Sequence, residues 1–401
     1  MMFARIQCLR SFACVGRRNT AESLSFVRSS LPECSRRHGV LNSRVAGSKR
    51  RFLNKAVASS PESSETEVET KDIVEEAIDF LKEDLKHLFD DQGIDASRYD
   101  DVVEFEDPIT AYSSIQGYLF NIAMLRRVFA PTYEMHDIKK TGENEITARW
   151  TMTMRFTWNG PIRGFWDPRL IFTGVSIYGL NPENGKINKH IDLWDSIDDQ
   201  QYFSVEAFRH VLSQVLSLSS TPDLETVDYT ILKKTSSYEV RRYPSFPVIE
   251  TNIKDQNSGG YVNPAVDGSR AFQRLAGYIF GQNEGEEKMD MTTPVISTSS
   301  GKMQFPIGSK YEGMSSMPTP TSTDVECKDT GGGLYAVAQF DGLALEPDAE
   351  REHSKLEKAM VVDGMTPGKD WTLARYNEPF TNPATRRNEV LIPIEDGFSL
   401  W

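Results

Sequence analysis

Cysteine is scarce in this 401-residue chain, and its placement excludes more than its number does. Of four cysteines, Cys8, Cys14 and Cys34 lie near the start and Cys327 stands alone after them. Without the N-terminal stretch there is no second thiol for an internal disulfide, and no Cys-x-x-Cys pair offers a common zinc site. Cys327 falls in a Ser/Thr/Gly-rich stretch and reads as an inert loop thiol. Histidine is also thin: of six, only His353 follows His210. No run of about 18 apolar residues is present, which excludes a transmembrane helix.

The charge is uneven. Residues 1–60 hold twelve Lys/Arg against Glu22 and Glu33, whereas the whole chain is at −13, so the remainder stands near −23. The basic, serine-scattered start has no apolar run followed by a small-residue cleavage site, so it reads as an organellar transit peptide over residues 1–60 rather than a secretory signal. A disordered basic arm for nucleic acid is the alternative, but no basic or aromatic platform follows to continue it. The acidic remainder repels phosphates and anionic headgroups, so nucleic acid is not an expected partner.

Residues 61–70 are acidic and poor in apolar residues, and are expected to form a flexible linker. The first folded domain is expected over 71–218. Ile73, Ala77, Phe80, Leu81, Leu85 and Leu88 mark one face of a helix. A strand at 101–108, a helix at 116–129 and strands at 133–138, 145–158, 169–180 and 186–194 follow, with turns at Gly160-Pro161 and Asn184-Gly185. This is an α+β pattern. Asp107, His190 and Asp192 are its candidates for acid–base chemistry, although a polar strand face explains them as well.

After a short joint, Ser217 to Asp223, the second domain is expected over 227–398. It is organised around Ala271 to Val295. Phe272, Leu275, Ala276 and Ile279 share a helix face, Asp267 or Ser269 can cap its start, and Gly281 stops it. Met289 and Met291 then fall on one side of a returning strand. A strand, helix, strand pattern occurs twice, with helices near 271–280 and 347–362 and a long loop at 308–333 between, so the domain looks duplicated.

Tyr278-Ile-Phe-Gly-Gln-Asn283 with Met291-Thr-Thr-Pro-Val295, flanked by Tyr238-Glu-Val-Arg-Arg-Tyr-Pro244 with Val248-Ile-Glu-Thr251, and by Ala374-Arg-Tyr-Asn-Glu-Pro379 with Arg387-Asn-Glu-Val390, resembles the SOUL haem-binding family. The resemblance implies a distorted antiparallel β-barrel with two flanking helices and an internal two-fold repeat. Tyr99 to Pro108 and Ile187 to Trp194 resemble DUF2358 of photosynthetic lineages, which implies an NTF2-like cone of helices and antiparallel sheet that often encloses a cavity. Together they imply a protein of the chloroplast stroma that carries or buffers haem or another tetrapyrrole. Its expected partners are haem-making or haem-degrading plastid enzymes, and it is not expected to be an enzyme itself. An enzyme using the NTF2-like pocket on a small apolar substrate, or a structural protein of plastid lipid bodies, are the rival readings.

Haem needs an apolar surface and basic groups for its propionates. Arg270 and Arg274 share a flank of the first helix with Gly277 and Gly281, and Leu275 and Tyr278 lie beside them. Arg270, Arg274, Leu275, Gly277 and Tyr278 are therefore the expected cofactor-binding residues, unless the arginines serve only as solvated ion pairs. His353 is a weak axial candidate, Met289 and Met291 read as core, and attachment is expected to be non-covalent. A reporter fused to residues 1–70 is expected to be imported into plastids; fluorescence remaining in the cytosol would refute the targeting reading.

Overall fold

The computed structural model describes residues 65–157, 168–198, 200, 204–216, 222–254 and 264–401. The leader, the Gly160-Pro161 turn and positions 217–221 of the joint lie outside them. Helix α1 (Glu65–Asp84) begins inside the stretch expected as linker. Glutamate favours helix, and acidic residues suit its first turn, so acidity alone did not mark a break there. Its buried residues Val74, Ala77 and Leu81 recur at the three-and-four spacing that makes one face.

Strands β1 (Tyr99–Glu106) and β2 (Ala111–Tyr112) precede α2 (Ile115–Val128), whose Ser114 cap accepts a bond from Gly117 N. Then come β3 (Thr132–Lys140), β4 (Glu145–Arg155), β5 (Arg169–Leu180) and β6 (Ile187–Trp194). They form one six-stranded sheet ordered β2-β1-β6-β5-β4-β3. β1 joins β6 in parallel while the other pairs are antiparallel, so the expected meander gains an edge brought in from the start of the domain. Helix α3 (Val205–Val215), capped by Ser204, adds to the expected elements: Val205, Phe208 and Leu212 recur at helical spacing and point outward, while Ala207 is buried.

The second domain runs β7 (Glu225–Thr226), β8 (Thr230–Lys234), β9 (Glu239–Tyr243), β10 (Pro247–Asn252), α4 (Pro264–Ile279), β11 (Thr292–Thr293), β12 (Val295–Thr298), β13 (Lys302–Pro306) and β14 (Glu326–Asp329). It continues with β15 (Gly333–Phe340), α5 (Glu346–Val362), β16 (Thr366–Pro367), β17 (Thr372–Arg375) and β18 (Asn388–Asp396). The main path is β14-β10-β13-β12-β17-β18-β15-β9-β8. Read outward from the β12–β17 pair, β13, β10 and β14 on one side answer β18, β15 and β9 on the other. Each half has a strand, a helix and a hairpin in the same chain order, which is the internal two-fold repeat. Two expectations change. Asp267 and Ser269 lie inside α4, which starts at Pro264, where a missing N–H is harmless. The long loop at 308–333 contains β14, which places Cys327 on a strand opposite Ile249.

A buried ion network sits on β9 and β18. Arg241 donates to both oxygens of Glu389 at 2.9 and 3.0 Å and to Glu239 at 2.7 Å. Arg387 and the Tyr376 hydroxyl also donate to Glu389, at 2.7 and 2.8 Å. Glu389 is 0% exposed. Burial pushes its carboxyl upward, but Arg241 and Arg387 overcome this and hold it at about 2. The folded-state value therefore lies below the unfolded one. The stabilisation is complete above the ordinary glutamate range, near pH 4.5, and is lost as pH falls towards 2. Arg241→Ala is expected to cost about 3–5 kcal/mol, because it leaves a buried charge without its main partner. Urea unfolding at pH 7 checks this, and a loss under 1 kcal/mol would refute it.

Candidate functional site

Helix α4 has two unlike faces. Ala271, Leu275, Tyr278 and Ile279 are buried with Ile249, Met303 and Phe305. The Tyr278 hydroxyl donates to Pro318 O at 2.6 Å and lies 3.7 Å from the Cys327 sulfur. Burial pushes both the Tyr278 phenol and the Cys327 thiol upward, so neither ionises readily. Met289 is buried in the same cluster and Met291 packs against it.

The outer face sets exposed phenylalanines among polar residues. Phe280 is 61% and Phe272 40% exposed. Phe272 rests its ring 5.2 Å from Phe305 at an angle of 61°. At 100° per residue, Phe272, Ala276, Ser269, Phe280, Gln273 and Gly277 follow one another around this face, with Arg270 and Arg274 completing it. A Cβ at Gly277 would meet only the end of the Gln282 side chain, at 2.4 Å from Oε1.

The five expected cofactor residues therefore divide. Arg270, Arg274 and Gly277 belong to the outer flank, whereas Leu275 and Tyr278 point into the core. Arg274 is fixed by two bonds to β10: Nε donates to Thr251 Oγ1 at 3.0 Å and Nη2 to Asn252 O at 2.5 Å. Phe280 and the outward placement of Phe272 were missed, because a phenylalanine at helical spacing reads first as core. The signal was present: Phe280 lies about 100° from the Leu275–Ile279 face, which a strict helical wheel would have shown.

His353 lies on α5, stacked 4.8 Å from Trp371 at 25°, with Ala349, Leu356 and Met360 buried on the same helix. Among the described residues no group of three or more His, Cys, Asp or Glu could hold a metal ion, and no helix is long and apolar enough to cross a membrane. In the first domain Asp107, His190 and Asp192 line one cavity of about 60 Å³, next to α2 residues Tyr118 and Ile122. The His190 Nε2 lies 2.9 Å from Asp192 Oδ1, as expected for neighbours on one strand face.

Residues 224–393 match the family model described as SOUL heme-binding protein, and residues 75–190 match the one described as uncharacterized conserved protein DUF2358. Heme-binding protein 1 of Xenopus tropicalis is 27% identical over 165 residues, 38% of this chain and 82% of that protein. Heme-binding protein 2 of Homo sapiens is 26% identical over 163 residues, 38% of this chain and 76% of that protein. Among solved structures, an NTF2-like protein of unknown function from Exiguobacterium sp. 255-15 is 20% identical, with 32% of this chain and 99% of that chain covered and a TM-score of 0.22. The strand order above, rather than that likeness, defines the fold of the first domain. The chain thus joins a DUF2358 domain to a domain of the SOUL heme-binding protein family.

Proposed function

We propose that the second domain binds haem or a related tetrapyrrole reversibly on the outer face of α4, as a non-catalytic carrier or buffer in the plastid stroma. The carrying observation is the exposed apolar surface of Phe272 and Phe280 beside Gly277, with arginines on one flank. Phe272 and Phe280 would meet the flat macrocycle, Gly277 lets it approach the backbone once Gln282 moves, and Arg270 and Arg274 would meet the propionates. Relatives named for heme binding support haem as the ligand.

The chemistry here favours a carrier. Residues 268–282 hold no His, Cys or Met, so this helix offers burial and charge rather than a strong iron ligand. The sequence also has no Cys-x-x-Cys pair for covalent attachment. The basic leader supports organellar import and the pairing with DUF2358 supports the plastid stroma, where haem-making and haem-degrading enzymes would be donors and acceptors.

Haem titration and thermal unfolding on the same full-length proteins test the site. Phe280→Ser is expected to weaken binding about ten-fold with little change in stability, since the ring is already exposed. Arg270→Ala with Arg274→Ala is expected to weaken it about five- to thirty-fold. Leu275→Ala acts through the core and is expected to lose about 2–5 kcal/mol of stability. His353→Ala leaves the Soret position unchanged. Undiminished affinity in both the Phe280 and the double arginine variants, with the fold intact, would move the site elsewhere.

A further inference from the structure

The cavity of the first domain contains polar atoms that the fold itself leaves unsatisfied. Among the described residues, the Tyr118 and Tyr133 hydroxyls and His190 Nδ1 are buried without a hydrogen-bond partner, and all three residues line this one cavity. Such groups are rare in folded proteins, because each forgoes its bonds to water. Three around one space point to an occupant.

The network behind His190 fixes what its free nitrogen offers. The Trp150 indole N–H can only donate, and it donates to Ser176 Oγ at 2.8 Å. Ser176 must then send its own proton to Asp192 Oδ1, at 2.5 Å. That oxygen, already accepting, also receives the Nε2–H of His190 at 2.9 Å. With Nε2 donating, the ring in its neutral form presents Nδ1 as a lone pair in need of a donor. Tyr178 stacks on the same ring at 4.3 Å, and Tyr118 meets it edge-on at 5.3 Å, so its orientation is set from two sides.

Charge narrows the class further. Among the described residues the lining includes the carboxyl groups of Asp107 and Asp192 and no lysine or arginine. Asp107 accepts bonds from Ile109 N, Thr110 N and Thr110 Oγ1 at 2.6–2.8 Å. Even so, burial, with a smaller push from Asp192, raises its carboxyl to about 6. The His190 Nδ1 acceptor, two phenol oxygens that can accept as well as donate, and negative charge, beside aromatic rings that include Trp150 and Trp194, describe a site for a hydrogen-bond donor carrying positive charge. About 60 Å³ holds roughly four to six water-sized centres, which corresponds to a ligand of about five heavy atoms.

We propose that this cavity binds a small alkylammonium ion, with its N–H groups donated to His190 Nδ1 and the two phenol oxygens and its apolar body held among the aromatic rings. The site lies wholly in the first domain and rests on no part of the haem reading. Isobutylammonium, isobutanol and isobutyrate, of nearly equal size, separate the possibilities when titrated calorimetrically into the full chain. Isobutylammonium is expected to bind saturably and about ten-fold more tightly than isobutanol, with isobutyrate giving no binding. Tyr118→Phe with Tyr133→Phe is expected to weaken the ammonium about five-fold or more without lowering Tm, because neither hydroxyl has a partner to lose. Should the double variant fail to fold, Tyr133→Phe alone carries the same expectation. No saturable binding of isobutylammonium, equal binding of the alcohol or the carboxylate, or unchanged affinity in the phenylalanine variants would each overturn the assignment and leave the cavity to water.

Discussion

A fully buried carboxylate is tolerable only where cations and donors replace the water it has lost, and Glu389 meets that condition on three sides. Arg241 arrives from β9 in fork geometry, Arg387 from the start of β18, and the Tyr376 hydroxyl from just beyond β17. The bidentate contact constrains orientation as well as distance, so it favours one register of β9 and β18 on the intervening β15. The network reaches further: Lys234 of β8 donates to Glu239 at 2.6 Å, and Arg241 lies 4.2 Å above the Tyr229 ring. One half of the duplicated sheet is thereby tied together through charges placed at its middle.

The far end of that sheet would otherwise be an open edge, with unpaired backbone groups on β8. The first domain covers it. Arg149, fastened to Asp195 at 2.8 and 2.5 Å, donates to Leu232 O at 2.9 Å. Thr151 donates to Ile231 O at 2.6 Å, and Lys234 N donates to Thr173 Oγ1 at 2.7 Å. These are side chains of β4 and β5 serving as a substitute ladder. Trp401 closes the same seam from the C-terminus, its indole donating to Asp137 at 2.8 Å. The two domains therefore fall within one compact unit.

Helix α4 shows how stability and function can share one short element. Its inner face contributes core that the half-barrel needs. Its outer face leaves Phe280 mostly in water and Phe272 partly so, resting on Phe305. Beside that surface the Arg274 guanidinium is held by two bonds to β10.

What the sequence determined by itself was local and repetitive. Most strand and helix positions, the duplication of the second domain and the family blocks were legible, because periodicity and turn residues are written along the chain. Even the ion network was present as fragments: Arg241, Tyr376, Arg387 and Glu389 all fall in or beside the blocks that carry the family resemblance. That these fragments converge on one carboxylate was not legible, because Arg241 and Glu389 are 148 positions apart and only strand pairing brings them together. The same reason hid the side-chain ladder over β8 and the unpaired atoms around His190. Burial and hydrogen-bond satisfaction belong to a pair of surfaces, and a chain read in order contains only one of them at a time.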